Sequence, residues 1–210
     1  MGVEHGRIVV GVTGASGAAY ARRLVECLIQ ADTTVHLVVS EFGKRLLVEE
    51  LSLGETSARA WLGFDTDRLI IHPYRDVGCV LGSGSFATDG MVICPCSANT
   101  LGSIAAGLGG NLIDRAAAVT IKERRRLVLV PREMPLSTID LRNALRLSQA
   151  GVVICPASPG FYMHPKGVDD LVDFVVGKVL DLLGVAHRLN TRWAGSRRAE
   201  ARSDDRGARA

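Results

Sequence analysis

Residues 7–20 read Arg7-Ile8-Val9-Val10-Gly11-Val12-Thr13-Gly14-Ala15-Ser16-Gly17-Ala18-Ala19-Tyr20, and the order of residue types in this stretch decides the fold. Ile8, Val9, Val10 and Val12 form a β-branched run of the kind that makes a strand buried on both faces. Gly11, Gly14 and Gly17 follow at three-residue intervals, and from Ala18 an Ala-rich apolar stretch continues with helical spacing to about Ala31. Strand, glycine turn and helix N-terminus in that order can hold a phosphate or an oxyanion. Free N–H groups and the positive helix end are expected to face outward there. No Gly-Lys-Ser/Thr follows, so this is not a Walker loop, and the spacing is not Gly-x-Gly-x-x-Gly. The alternative is that the glycines only allow close strand–helix packing.

Working outward, Thr34–Val39 is a second strand ending at Ser40, where a dinucleotide domain would carry Asp or Glu for a ribose. Glu41 comes one position later, so an NAD site is disfavoured and Ser40 offers a hydroxyl to a phosphate or polyol. Residues 41–51 read as a helix ending near Glu50, a carboxylate that helix position alone would leave in solvent. A short helix falls within 53–64 and a short strand at 69–72. Three later runs share one form: Val92-Ile93-Cys94-Pro95, Val128-Leu129-Val130-Pro131 and Val153-Ile154-Cys155-Pro156. Each is an apolar strand stopped by proline, which cannot donate to a ladder. Helical segments at 100–108, 112–123 and 138–150 lie between them, so the strands are expected to run parallel with right-handed crossovers. Their polar exits (Cys96-Ser97-Ala98-Asn99-Thr100, Arg132-Glu133, Ala157-Ser158) then share one sheet edge with Gly14–Gly17. Open α/β sheets bind ligands at that carboxyl edge.

Bulk properties narrow the class. The 210 residues suit one domain with a sizeable core. Net charge is +3, but seven arginines against three acids fall beyond residue 187, leaving about −1 on 1–187. The folded part, 1–187, is therefore not a nucleic-acid-type basic domain, and 188–210 reads as a disordered arginine-rich tail. Five cysteines, at 27, 79, 94, 96 and 155, show no zinc spacing and no C-x-x-C pair. Their odd number and apolar settings point to buried thiols in a reducing compartment, hence a cytoplasmic protein. No apolar run reaches the length of a membrane span, and there is no signal-peptide pattern.

Some residues carry candidate chemistry. Arg132 at a strand exit can grip a phosphate at two points, and neighbouring Glu133 can move a proton. Ser97 also reads as an N-cap. Lys122-Glu123-Arg124-Arg125-Arg126 closes a helix, where cations complement the dipole; its arginines read as a solvated cluster. Gly82-Ser83-Gly84-Ser85 reads as a mobile loop near a site or as an ordinary turn. Tyr162 offers a phenol to a ligand or caps a core edge. His36 and His72 read as structural or surface residues. Residues 168–183 form a final amphipathic helix with Lys178 on a face away from its apolar stripe.

Taken together, six motifs in order resemble the flavin prenyltransferases. They are G-V-T-G-A-S-G-A-A-Y at 11–20, S-G-S-F-A-T-D-G-M at 83–91, P-C-S-A-N-T-L at 95–101, D-R-A-A-A-V-T-I-K-E-R-R at 114–125, V-P-R-E-M-P-L at 130–136 and P-G-F-Y-M-H-P at 159–165. The resemblance spans about residues 7–193. It implies a Rossmann-like three-layer α/β sandwich, an open and mostly parallel sheet with helices on both faces. It implies reduced FMN as bound substrate, alkylated by dimethylallyl phosphate at N5 and closed at C6 without a metal. It also implies a homo-oligomer, commonly a dodecamer with sites at subunit contacts, whose product passes to a separate decarboxylase. By position, Gly14, Ala15, Ser16, Ser40, Ser97, Ala98, Asn99, Thr100 and Arg132 match FMN contacts, with Ser16 near N5. Tyr162, Lys122 and Lys178 match positions gripping the prenyl phosphate, with Arg115 and Arg132 nearby. Glu133 and Glu50 match acidic positions assigned to proton handling and ordering. Lys178 stands where relatives commonly carry Arg, which keeps charge but loses two-point geometry. Competing readings are an FMN-dependent cysteine decarboxylase of the same fold, a non-catalytic flavin-binding partner subunit and, third, an NAD dehydrogenase. The first lacks its Pro-x-Met-Asn type motif here, and a pure binder needs no Arg132, Glu133, Lys122 and Tyr162 set.

Overall fold

The computed structural model describes residues 6–189. All but Arg188 and Leu189 of the expected tail therefore lies outside the described residues. Six strands, β1 (Arg7–Val12), β2 (Thr34–Val39), β3 (Leu69–His72), β4 (Gly90–Cys96), β5 (Arg126–Pro131) and β6 (Val153–Ile154), form one sheet in the order 3-2-1-4-5-6. All five pairings are parallel. The helices are α1 (Ala18–Gln30), α2 (Glu41–Leu51), α3 (Ala58–Leu62), α4 (Ala98–Ala105), α5 (Leu112–Lys122), α6 (Thr138–Gln149) and α7 (Val168–Leu183).

Strand periodicity of two divides β1 between two cores. Ile8, Val10 and Val12 pack with α1, α2, α3 and α7, while Val9 joins the core beneath α4, α5 and α6. The order reverses direction between β1 and β4, so the carboxyl-end crevice of the sheet lies there. Side chains cap most helices: Ser40, Ser57, Ser97, Asn111 and Ser137 each accept a backbone N–H in the first turn. Helix α1 has Gly17 at its N-cap position and so no such side-chain cap of its own. Among the described residues no helix is long and apolar enough to cross a membrane.

Two boundaries differ from the sequence expectation. Strand β4 runs through Pro95 to Cys96, which pairs with Pro131 after a register shift beyond Ile93. A bulge tolerates a proline that a regular central ladder would reject. Strand β6 is only two residues long, ending before Cys155-Pro156.

Candidate active site

The crevice is closed at its base by Thr13. This buried hydroxyl donates to the Pro95 carbonyl at 2.9 Å and accepts from the Ser97 amide at 2.8 Å, while the Thr13 amide also reaches the Pro95 carbonyl. One side chain thus ties the exit of β1 to the exit of β4. Sequence reading passed over it because its partners lie more than eighty positions away. The Ser40 amide donates to the Val12 carbonyl at 2.9 Å, bringing the exit of β2 alongside.

Close approach explains two of the glycines. A Cβ on Gly14 would lie 2.6 Å from the Phe42 Cβ, so the turn into α2 seats directly on the glycine loop. Gly17 has φ +122°, and a Cβ there would also strike the Tyr20 ring at 2.8 Å. Phe42 remains largely exposed beside this loop.

The expected free helix end is not free. Glu50, from the last turn of α2, accepts from the Gly17 amide at 3.0 Å and the Ala18 amide at 2.8 Å. An internal carboxylate therefore sits on the positive end of α1, satisfying donors that Gly17 cannot cap. This corrects the expectation of an open phosphate cradle there, and Glu50, though exposed, is engaged with backbone rather than with solvent alone. Ser16 is exposed just before this junction. Its carbonyl accepts from Arg132 Nε at 3.2 Å, which brings the β5 exit onto the glycine loop. Neither NH2 group of Arg132 has a hydrogen-bond partner among the described residues, so both can face an anion. The Tyr20 phenol is held above its ordinary pKa by burial and by Cys94, and Arg132 draws it partly back.

Ser97 is an N-cap, accepting from the Thr100 amide at 3.3 Å and lying 3.1 Å from the Thr100 hydroxyl. The amides of Ala98 and Asn99, in the first turn of α4, have no intrahelical acceptor. Ser40 caps α2 through the Gly43 amide at 3.0 Å and keeps its own proton to donate. The structure thus gathers Gly14, Ala15, Ser16, Ser40, Glu50, Ser97, Ala98, Asn99, Thr100, Arg132 and Glu133 around one edge of the sheet.

The remaining candidates are carried by α5, α7 and the loop before α7. Helix α5 runs antiparallel to the strands: Ile113 contacts the level of Gly11, and the Thr120 hydroxyl reaches Met91 near the start of β4. Lys122, at its far end, pairs with Glu123 at 3.4 Å. It precedes β5, whereas Arg132 follows β5. Six residues at about 3.3 Å each put roughly 20 Å between those two levels. Arg115 also lies on α5, its Nε donating to the Gly82 carbonyl at 3.2 Å. Residues 82–85 accompany α5 and the amino end of the sheet. Arg125 donates to the Gly84 carbonyl at 2.6 Å and the Phe86 carbonyl at 2.7 Å. Arg126 donates to the Leu182 carbonyl. Two of the three arginines thus fasten backbone, which corrects their reading as a solvated cluster; the 83–85 loop is pinned. Tyr162 meets Phe174 edge to face, with centroids 5.6 Å apart, and Lys178 follows Phe174 by one helical turn. Tyr162 and Lys178 therefore flank one face of α7. Lys178 draws down the pKa of nearby Cys155, which burial raises.

Two further polar groups lie outside the candidate set, and Asp114 was not singled out in the sequence. Asp114 is buried and accepts from Ser103 Oγ and, at 2.8 Å, from Asn111 Nδ2, joining α4 to α5. Burial raises its pKa, and the two hydrogen bonds draw it partly back. His36, read as structural or surface, is buried, with Nδ1 2.9 Å from His72 Nε2.

Comparison with known proteins agrees with this geometry. The Flavoprotein family matches residues 3–180. Flavin prenyltransferase UbiX of Thermoplasma acidophilum is 51% identical over 189 residues, covering 89% of this chain and 99% of the relative. The crystal structure of AnUbiX (PadA1) in complex with FMN and dimethylallyl pyrophosphate superposes with a TM-score of 0.86 at 40% identity, covering 91% of this chain and 99% of that one. A dodecameric FMN-dependent Ubix-like decarboxylase from Escherichia coli O157:H7 gives a TM-score of 0.82 at 44% identity, covering 90% and 100%. With the 3-2-1-4-5-6 sheet, the stapled crevice and these relatives together, the chain belongs to the flavin prenyltransferase family.

Proposed function

We propose that the chain joins a dimethylallyl group from dimethylallyl phosphate to N5 and then C6 of reduced FMN, releasing phosphate, and that the product serves a separate decarboxylase. The observation that carries this reading is the Arg132–Ser16 hydrogen bond, which puts a phosphate-gripping guanidinium beside the serine nearest the proposed alkylated nitrogen. The donor set suits FMN. Exposed Phe42 and the glycine loop offer a flat apolar wall, and Ser40, the first-turn amides of α4 and Arg132 offer donors for its polar groups. Bound FMN supplies the nucleophilic N5 and the aromatic carbon C6.

The protein's own groups account for the rest. An allylic phosphate ionises more readily when its leaving oxygens meet fixed positive charge and hydroxyl donors. Arg132, Lys178 and Tyr162 supply these from this chain. Lys122, at the far end of α5, reaches the same phosphate only from a neighbouring copy, and Arg115 on the same helix is proposed to accompany it. We infer a symmetric oligomer, a dodecamer as in the E. coli relative, whose contacts complete the site. Helix α6 supports assembly: Leu147 is its one buried residue, while Ile139, Leu141 and Leu145 are exposed. Such side chains gain about 1.5–3 kcal/mol each when covered. Glu133 and the released phosphate take the C6 proton, and Glu50 orders the loop that carries Ser16. Five free cysteines fit a reducing, cytoplasmic setting.

Anaerobic incubation of the purified protein with reduced FMN and dimethylallyl phosphate, followed by mass measurement of the flavin, tests the reading. The expected flavin is heavier by one C5H8 unit. An unmodified flavin with FMN demonstrably bound would overturn it.

A further inference from the structure

Away from the crevice, the loop after β3 carries a second set of reactive side chains. Cys79 Sγ lies 3.1 Å from His72 Nδ1, and His72 Nε2 lies 2.9 Å from His36 Nδ1. The two imidazoles are stacked, with centroids 5.1 Å apart. The Phe86 ring meets His36 edge-on at 5.2 Å, under the Arg7 guanidinium. With the tautomers that give the thiol an acceptor, the contacts form one continuous relay. The thiol donates to His72 Nδ1, His72 Nε2–H donates to His36 Nδ1, and His36 keeps its proton on Nε2. A nucleophile, a base and a group that orients the base are thereby in hydrogen-bond sequence. Both imidazoles are held neutral near pH 7 by burial, with Arg7 also disfavouring charge on His36 and Asp76 favouring it on His72. A neutral His72 is the form able to accept the thiol's proton.

The surroundings admit a reagent. Cys79 is partly exposed, and Val77 and Val80 on either side expose about half their surface, 44% and 51%, forming a small apolar lip. The other cysteines differ. Cys94 and Cys96 are buried, with the Cys96 thiol pushed up to about 12 by burial, and Cys27 is buried beside Arg23. Cys155 is the other partly exposed thiol, and it has no imidazole partner among the described residues.

We propose that Cys79 is a thiol-modification site, at which His72, oriented by His36, acts as the base for exchange with small apolar disulfides. Sγ attacks one sulfur of R–S–S–R as its proton passes to His72 Nδ1. The protein–S–S–R bond forms, the S–S bond of the reagent breaks, and the leaving thiolate takes the proton from His72 to depart as R–SH. The small disulfide is the oxidant, so electrons balance.

The test treats the native protein near neutral pH with less than one equivalent of 2,2′-dithiodipyridine, a small uncharged disulfide, then maps the labelled peptide by mass. The expected first label is on Cys79, at a rate about tenfold above Cys155, and His72→Gln lowers the Cys79 rate about tenfold. First labelling of Cys155, or no labelling before unfolding, would overturn the proposal. So would an unchanged Cys79 rate in a folded His72→Gln protein. If that variant does not fold, the mapping of the unaltered protein decides alone.

Discussion

Removing the carboxylate at Glu50 tests how the glycine loop is held. It caps α1 from thirty-three residues away, through the Gly17 and Ala18 amides. Charge-assisted hydrogen bonds contribute about 1.5–3 kcal/mol each where water is excluded. Glu50 is exposed, so water replaces part of what Glu50→Ala removes, and about 1 kcal/mol is the better figure for the pair. Loss of a negative charge from a helix N-terminus adds about 0.3–1 kcal/mol. The sum, about 1.3–2 kcal/mol, lowers the unfolding midpoint by roughly 3–8 °C in a domain of this size. Glu50→Gln keeps an acceptor but not the charge and is expected to fall between. The assay is thermal unfolding by circular dichroism at one fixed protein concentration, since oligomers shift midpoints with concentration. FMN titration runs alongside, because the freed amides no longer fix the loop carrying Ser16. A Glu50→Ala protein with unchanged midpoint and unchanged FMN affinity would refute the claim that this carboxylate holds the loop.

Thr13→Val keeps shape but removes a buried hydroxyl that serves two partners, leaving the Ser97 amide without its acceptor; a loss of about 1–3 kcal/mol in urea unfolding is expected, with weakened FMN binding. Acid should destabilise the fold through His36. Its pKa falls from 6.5 to about 4 on folding, so its contribution is complete above pH 6.5 and lost as pH drops toward 4. The full effect is on the order of 3 kcal/mol, and a His36→Gln variant should lose that part of the slope between pH 6.5 and 4. Asp114 has the opposite sign. Its raised pKa means that stability present at low pH is lost as pH rises through the folded value. Asp114→Asn should therefore flatten the stability profile in the acid range, as measured by urea unfolding at several pH values.

The sheet was legible because its signals are local. The run Ile8–Val12, the glycine turn and the Ala-rich helix adjoin in sequence, and the three apolar runs before Pro95, Pro131 and Pro156 each fall on a strand, although β4 continues through its proline. The parallel order followed from helices filling the gaps. What was not legible depends on distance along the chain. Nothing near Glu50 says that it will reach Gly17, and nothing near Thr13 marks it as a staple to Pro95. The strand through Pro95 required a bulge that only the pairing with β5 displays. Position matching placed Lys122 with Arg132, but a helix antiparallel to its strand carries Lys122 toward the opposite end of the sheet. Charge alone also misread Arg125 and Arg126, whose partners are backbone carbonyls of other elements.

That separation sets the most direct test of a site shared between copies. Arg132→Ala and Lys122→Ala chains are each expected to be nearly inactive in the anaerobic flavin-prenylation assay. Co-expressed in equal amounts and purified as mixed oligomers, they should regain about a quarter of the unaltered activity. A site drawing Arg132 from one chain and Lys122 from its neighbour is intact when both are unaltered, at odds of one half each. Mixed oligomers no more active than either parent would contradict the account.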